Sequence, residues 1–224
     1  MHAIQSRSLT RALSNDFDFL FPDGPHTVDM PNISDDAMSK VWSEYVSSNS
    51  TAGHRAWWFA RDAGPTTPEA GSYEGLERSL DYLGGYIEKS GPIHAIWGFS
   101  QGGCFAGFLT ALLSKQLKDH PLRKHLPNSQ PPTSTGIIIS GFKARFPQYD
   151  SIYAKEINVP TLHIIGEKDE AVSPAKSEEL MKLCVDPSVL RHGRGHEIPS
   201  SKEHQGVIVK FLLDNVRSIN RESL

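Results

Sequence analysis

The sequence predicts an α/β fold, a mostly parallel sheet with helices packed on both faces. Three observations carry that expectation. Residues 93–97 are a short apolar, β-branched run, followed at once by Gly98-Phe99-Ser100-Gln101-Gly102 and then by an apolar stretch of helical length. Two more runs of the same kind, Ile137-Ile138-Ile139 and Thr161-Leu162-His163-Ile164-Ile165, lie downstream. Unbroken apolar runs of that length mark strands buried on both faces. Stretches with helical periodicity separate these runs, and that alternation is the pattern of a parallel sheet covered on both sides.

Composition narrows the class. The chain has 224 residues, 38% hydrophobic and 22% charged, which suits one α/β domain over 1–224 and argues against global disorder. A net charge of −3, with no basic block, argues against a nucleic-acid partner. Cys104 and Cys184 make neither a disulfide framework nor a zinc pattern, so no metal is expected, and Cys104 reads as a small core residue. No apolar run reaches transmembrane length and residues 1–20 lack a signal-peptide core, so the expectation is a cytoplasmic enzyme without a membrane partner.

The elements follow in order. Residues 4–13 read as a short helix and residues 17–21, Phe-Asp-Phe-Leu-Phe, as a strand stopped by Pro22-Asp23-Gly24-Pro25. Residues 26–72 read as a long excursion, rich in Ser, Asp, Gly and Pro, with some helix over 35–46 and with Trp42, Tyr45, Trp57, Trp58 and Phe59 embedded in it. Ser72 is placed to cap a helix over 73–89, with Leu76, Leu80, Leu83 and Ile87 as its buried stripe. Gly91-Pro92 ends that helix and leads into the 93–97 strand. Residues 115–134 read as a surface connection, and 135–140 and 161–165 as buried strands. Ser173-Pro174 opens a helix to about 183. Residues 188–191 form a short strand. Ser200-Ser201-Lys202-Glu203 offers a capping box for a last helix with the stripe Val207, Ile208, Phe211, Leu212 and Val216.

The chemistry centres on Ser100. A G-x-S-x-G motif between a strand and a helix is the setting of a nucleophile elbow, in which a sharp turn lifts the serine hydroxyl clear of the sheet. Side chains at Gly98 or Gly102 are expected to collide with the neighbouring strand or helix. The turn also aims the amide of Gln101 at the position an oxyanion would take. A serine hydroxyl needs a base, and the base needs a group that fixes its tautomer. In such sheets reactive groups lie at the carboxyl ends of strands. Asp169, three residues beyond Gly166, fits the orienting acid, with Glu167 and Glu170 as rivals. His196, in Gly193-Arg194-Gly195-His196-Glu197, fits the base, with His192 as its nearest rival among ten histidines. His94 and His163 fall within strands and read as core residues. The chain order Ser100, Asp169, His196 is that of the α/β-hydrolases.

These residues and others resemble the fungal serine hydrolase (FSH) family of α/β-hydrolases. The matching pieces include Phe19-Leu20-Phe21-Pro22-Asp23-Gly24-Pro25, Tyr73-Glu74-Gly75-Leu76, Gly98 to Gly103, Ser140-Gly141-Phe142, Gly166-Glu167-Lys168-Asp169 and Gly195-His196. The resemblance implies a three-layer sandwich that hydrolyses a carboxylic ester or thioester without a cofactor. It implies Ser100 as nucleophile, Asp169 as acid and His196 as base. Relatives in secondary metabolism release polyketide acyl chains from carrier proteins, and Trp57-Trp58 resembles a pattern seen there. That adds an acyl carrier protein to the implied partners, beside small-molecule esters. Phe142 follows the strand beside the elbow and is expected to line an acyl pocket, with Trp57 and Trp58 as either core or lid.

One departure bears on activity. Family members begin with a hydrophobic strand that lies beside the elbow strand and ends in a His-Gly turn carrying the second oxyanion donor. No such strand precedes residue 4 here, and His192-Gly193 follows a different strand. The first strand is therefore expected to be absent. Either Phe17 to Phe21 pairs with the elbow strand instead, or an edge stays open. Two functions follow: a serine esterase or thioesterase, or a catalytically weak α/β-hydrolase-like binding protein.

Overall fold

The computed structural model describes residues 6–28, 53–61 and 71–217. The elements begin with helix α1 (Arg7–Ala12) and four short strands, β1 (His26–Thr27), β2 (Arg55–Ala56), β3 (Phe59–Arg61) and β4 (Ser72–Glu74). Helix α2 (Leu76–Ser90), strand β5 (Ala95–Phe99) and helix α3 (Gln101–Leu112) follow. The chain continues with β6 (Thr135–Ile139), β7 (Thr161–Gly166), α4 (Pro174–Met181), β8 (Ser188–His192) and α5 (Lys202–Arg217). Strands β5 to β8 form one sheet in that order, with every pair parallel. This is the α/β-hydrolase type of fold expected from the sequence.

Strand β6 shows how the sheet is covered. All five of its residues are buried. Side chains alternate between faces along a strand. Ile138 joins a cluster with Leu80, Leu83 and Ile87 of α2 and Phe105, Phe108 and Leu112 of α3. Ile137 and Ile139 join the opposite cluster, with Leu9 of α1 and Ile208 and Leu212 of α5. The stripe Leu76, Leu80, Leu83 and Ile87 is buried as its spacing requires.

The elbow strand is a partial exception. It runs over Ala95–Phe99, two residues later than the sequence suggests, and its burial alternates. Ile96 and Gly98 are buried, while Ala95, Trp97 and Phe99 are half-covered. Among the described residues no named strand pairs with its other edge. His94, just ahead of it, is exposed and not a core residue.

Other expectations are corrected. Residues 17–21 form no strand. Phe17 and Phe19 pack against the same buried cluster as Ala95, Trp97 and Phe99, but an extended run becomes a strand only when a partner supplies the ladder. Leu20 and Phe21 are exposed. The helix expected from 73 begins at Leu76, because Ser72–Glu74 pairs antiparallel with Phe59–Arg61. Gly75, at φ 89°, makes the break between them, and Ser72 caps nothing. The connection over 115–134 contains two 3₁₀ turns, Lys115–Leu117 and Pro121–His125. From the same connection the buried Gln130 side chain holds both the amide and the carbonyl of Ile93, fixing the entry to β5. The last helix is capped by Ser201, whose hydroxyl accepts from the His204 amide at 3.2 Å, and not by a box on Ser200. Its Val207 is exposed. Within 26–72, β1 pairs with β2 and β3 with β4. The helix expected over 35–46, with Trp42 and Tyr45, lies outside the described residues, as does Ile4.

Candidate active site

Ser100 stands between β5 and α3 with φ 57° and ψ −121°. Positive φ on a residue with a Cβ is strained. The strain is held from both sides. The Ser100 amide donates to the Ile139 carbonyl at 3.0 Å, and its own carbonyl accepts from the Cys104 amide at 2.9 Å. Strand and helix meet so closely that a Cβ on Gly98 would lie 1.8 Å from the Gly102 carbonyl oxygen. The second tight glycine is Gly103, whose Cβ would lie 2.6 Å from the Ile139 oxygen and 3.0 Å from the Gly141 Cα. Gly102, expected to be equally crowded, is not. The nearest atom to a Cβ there is the Trp57 indole nitrogen at 3.9 Å, because this position faces outward from the first turn of α3.

Three side chains from three strand ends meet here. Ser100 Oγ lies 2.9 Å from His196 Nε2, and His196 Nδ1 lies 2.8 Å from Asp169 Oδ2. An ionised carboxylate only accepts, so Nδ1 carries the imidazole proton and Nε2 is left to accept from the serine hydroxyl. The other Asp169 oxygen accepts the amides of Ala171 at 3.0 Å and Val172 at 2.8 Å. Asp169 is only 4% exposed. Burial opposes its ionisation, but the hydrogen bonds from His196 and the Val172 amide outweigh it and hold its pKa below the ordinary carboxylate value. The Phe99 ring packs 4.5 Å from the His196 ring.

The rivals stand apart from this chain. Glu167 and Glu170 are exposed. His192 ends β8 with both ring nitrogens buried and without partners, and burial lowers its pKa. His163 is a core residue, 3.5 Å from the Cys184 sulfur, and burial lowers its pKa to about 4. Cys104 is fully buried.

Gln101 is the first residue of α3, so its amide is among those a helix leaves without an internal partner. Trp58 sits in the core, its ring 4.8 Å from Tyr73 and 5.3 Å from Phe105. Trp57 and Phe142 are half-buried against the same cluster. Two features escape a reading of the sequence. Ser140, at the end of β6, is held at φ 45°, and its buried hydroxyl lies near Asp169 without forming a good hydrogen bond. The Gln101 side chain is bonded to the Trp57-Trp58 backbone. Only the positive φ of Ser140 and the pairing of Gln101 with a distant segment reveal them, and neither has a local signature.

Among the described residues no group of three or more His, Cys, Asp or Glu side chains is arranged to hold a metal. No helix among them is long and apolar enough to cross a membrane. A cavity of about 420 Å³ lies at the far end of the sheet, lined by Pro160, Thr161, Ser188 and Asp214 among others, away from Ser100.

This geometry can be set beside known proteins. A 30% identical relative over 207 residues is the "Uncharacterized hydrolase C22A12.06c" of Schizosaccharomyces pombe, matched over 89% of this chain and 44% of that protein. The "Esterase OVCA2" of Xenopus tropicalis is 33% identical over 161 residues, 70% of this chain and 65% of that protein. The chain thus spans less than two thirds of the length of these relatives. Among solved structures, Arabidopsis thaliana SOBER1 superposes with a TM-score of 0.56 at 19% identity, over 95% of this chain and 90% of that one, a likeness of fold. The model of the serine hydrolase (FSH1) family matches residues 1–208, and the chain belongs to that family.

Proposed function

We propose that this chain is a serine esterase that works through an acyl-enzyme, with Ser100 as nucleophile, His196 as general base and Asp169 as the group that orients the imidazole. The observation that carries the reading is the continuous hydrogen-bonded line from Ser100 Oγ through His196 to Asp169. The Ser100 oxygen attacks the ester carbonyl carbon and its proton passes to His196 Nε2. The imidazolium so formed is stabilised by the Asp169 carboxylate. His196 returns that proton to the departing alkoxide or thiolate as the acyl–oxygen or acyl–sulfur bond breaks. Water, giving its proton to the same nitrogen, then attacks the acyl-enzyme carbonyl, and His196 passes that proton to Ser100 Oγ as the acyl–Oγ bond breaks and the acid leaves. The Gln101 amide, at the positive end of α3, stabilises the tetrahedral oxyanion. Trp57 and Phe142 flank the acyl group, and no cofactor takes part.

Finer readings build on this one. The substrates are carboxylic esters or acyl thioesters, including acyl chains presented by a carrier protein, in a cytoplasmic setting. A second reading, a weakly active binding protein, draws on one observation. Among the described residues no named strand lies on the side of β5 where the family resemblance expects the second oxyanion donor. Treatment with a fluorophosphonate probe, alongside p-nitrophenyl ester hydrolysis, tests both. Labelling confined to Ser100, abolished in Ser100→Ala, together with turnover supports the esterase. Absence of turnover in a folded chain favours the binding protein.

A further inference from the structure

The Trp57-Trp58 dipeptide bridges β2 and β3 and has no strand partner of its own, so its peptide groups need bonds from elsewhere. Side chains of the two helices beside the elbow supply them. Gln101 Oε1 accepts the Trp57 amide at 2.9 Å, and Gln101 Nε2 donates to the Trp58 carbonyl at 2.9 Å. The buried Ser79 hydroxyl of α2 donates to the Trp57 carbonyl. A glutamine amide offers one acceptor and one donor on the same plane, as a neighbouring strand would. The dipeptide is thus held to the first turn of α3, one residue beyond Ser100. The two rings then divide. Trp58 anchors in the core, while Trp57 stays half-buried, 5.0 Å from the Phe105 ring, with its indole nitrogen beside Gly102.

We propose that the Gln101 side chain is a positioning residue that fixes Trp57 as a wall of the acyl pocket and so sets the preference for longer apolar acyl groups. This rests on the esterase reading. It gives Gln101 two separable tasks, the main-chain amide at the oxyanion and the side chain at the pocket wall. Because one residue carries both, the bonds of its side chain tie the wall to the residue next to the nucleophile.

The test compares kcat/KM for p-nitrophenyl octanoate and p-nitrophenyl acetate. Gln101→Glu keeps the shape but has no donor for the Trp58 carbonyl, and Gln101→Leu removes both bonds. In each the octanoate-to-acetate ratio falls about tenfold, the scale of disturbing a hydrophobic pocket, with most of the change in KM for octanoate. Ser79→Ala, which removes the bond from α2 to the Trp57 carbonyl, moves the ratio the same way, and a wild-type ratio in it counts against the proposal, so the test stands even where a Gln101 variant folds poorly. In a Trp57→Ala background, adding Gln101→Leu leaves the ratio where Trp57→Ala put it, because the side chain acts through that ring. A wild-type ratio in the Gln101 variants, an equal fall on both esters, or a further fall in the double variant overturns the proposal. A wild-type chain that hydrolyses neither ester and is not labelled at Ser100 overturns the esterase reading itself. In the other failures the wild type is active.

Discussion

Replacing Gly98 with alanine probes the elbow most directly. The added Cβ would sit 1.8 Å from the Gly102 oxygen, 2.3 Å from its carbonyl carbon and 2.8 Å from the Ala106 Cβ. Ordinary contact begins near 3.4 Å, so the strand and the helix must part by more than 1 Å. Two of the three atoms are backbone, so no rotamer change relieves the clash. Ser100 lies between the parting elements, and its 2.9 Å approach to His196 Nε2 lengthens with them. A misplacement of about 1 Å costs roughly 10²-fold in rate. Overpacking of this kind costs about 1–3 kcal/mol, which lowers the melting temperature by roughly 2–12 °C for a chain of this size. The assay is the rate of fluorophosphonate labelling at Ser100 beside a thermal melt. Gly102→Ala is the control. Its Cβ meets nothing nearer than 3.9 Å, and replacing a helical glycine raises stability by about 0.5–1 kcal/mol. Gly98→Ala with the labelling rate and melting temperature of the wild type would refute the reasoning.

His196→Ala and Asp169→Asn are each expected to lower ester turnover by about 10⁴-fold with the fold retained on circular dichroism. If His192→Ala were the inactive variant instead, the base would be misassigned. A pH series tests His163. Its pKa is 6.5 when unfolded and about 4 when folded, so the unfolded chain binds the extra proton between those values. Stability is therefore complete above pH 6.5 and declines as pH falls toward 4, by about 2 kcal/mol at pH 5. His163→Gln should flatten that decline in urea titrations at pH 7 and pH 5. An equally steep decline in the variant assigns it to other groups.

Much of the fold is legible in sequence because its signals are local. Strands β6 and β7 announce themselves as apolar runs buried on both faces, and α2 as a stripe at helical spacing. The elbow reads from the five residues Gly98 to Gly102 because strand, strained turn and helix are contiguous. The line from Ser100 to Asp169 and His196 is readable in order, since each group follows a strand end. The misreadings have a common cause. Residues 17–21 have the composition of a strand, and 72–74 that of a helix start, but pairing decides both. Phe59–Arg61 captures 72–74 by hydrogen bonds, whereas no described strand captures 17–21.

The sequence by itself determines the order of strands and helices, the elbow at Ser100 and which acids and histidines compete for the partner roles. Only the tertiary structure shows that His196 and Asp169, and not His192, Glu167 or Glu170, join Ser100 in one hydrogen-bonded line. The choice is one of distance and burial between strand ends 27 and 96 residues apart in the chain. It also decides that Gly98 and Gly103 are the tight glycines while Gly102 faces outward. The bond from Gln101 to Trp57 is likewise invisible in sequence, because a glutamine side chain carries no local sign of the distant peptide group it will hold.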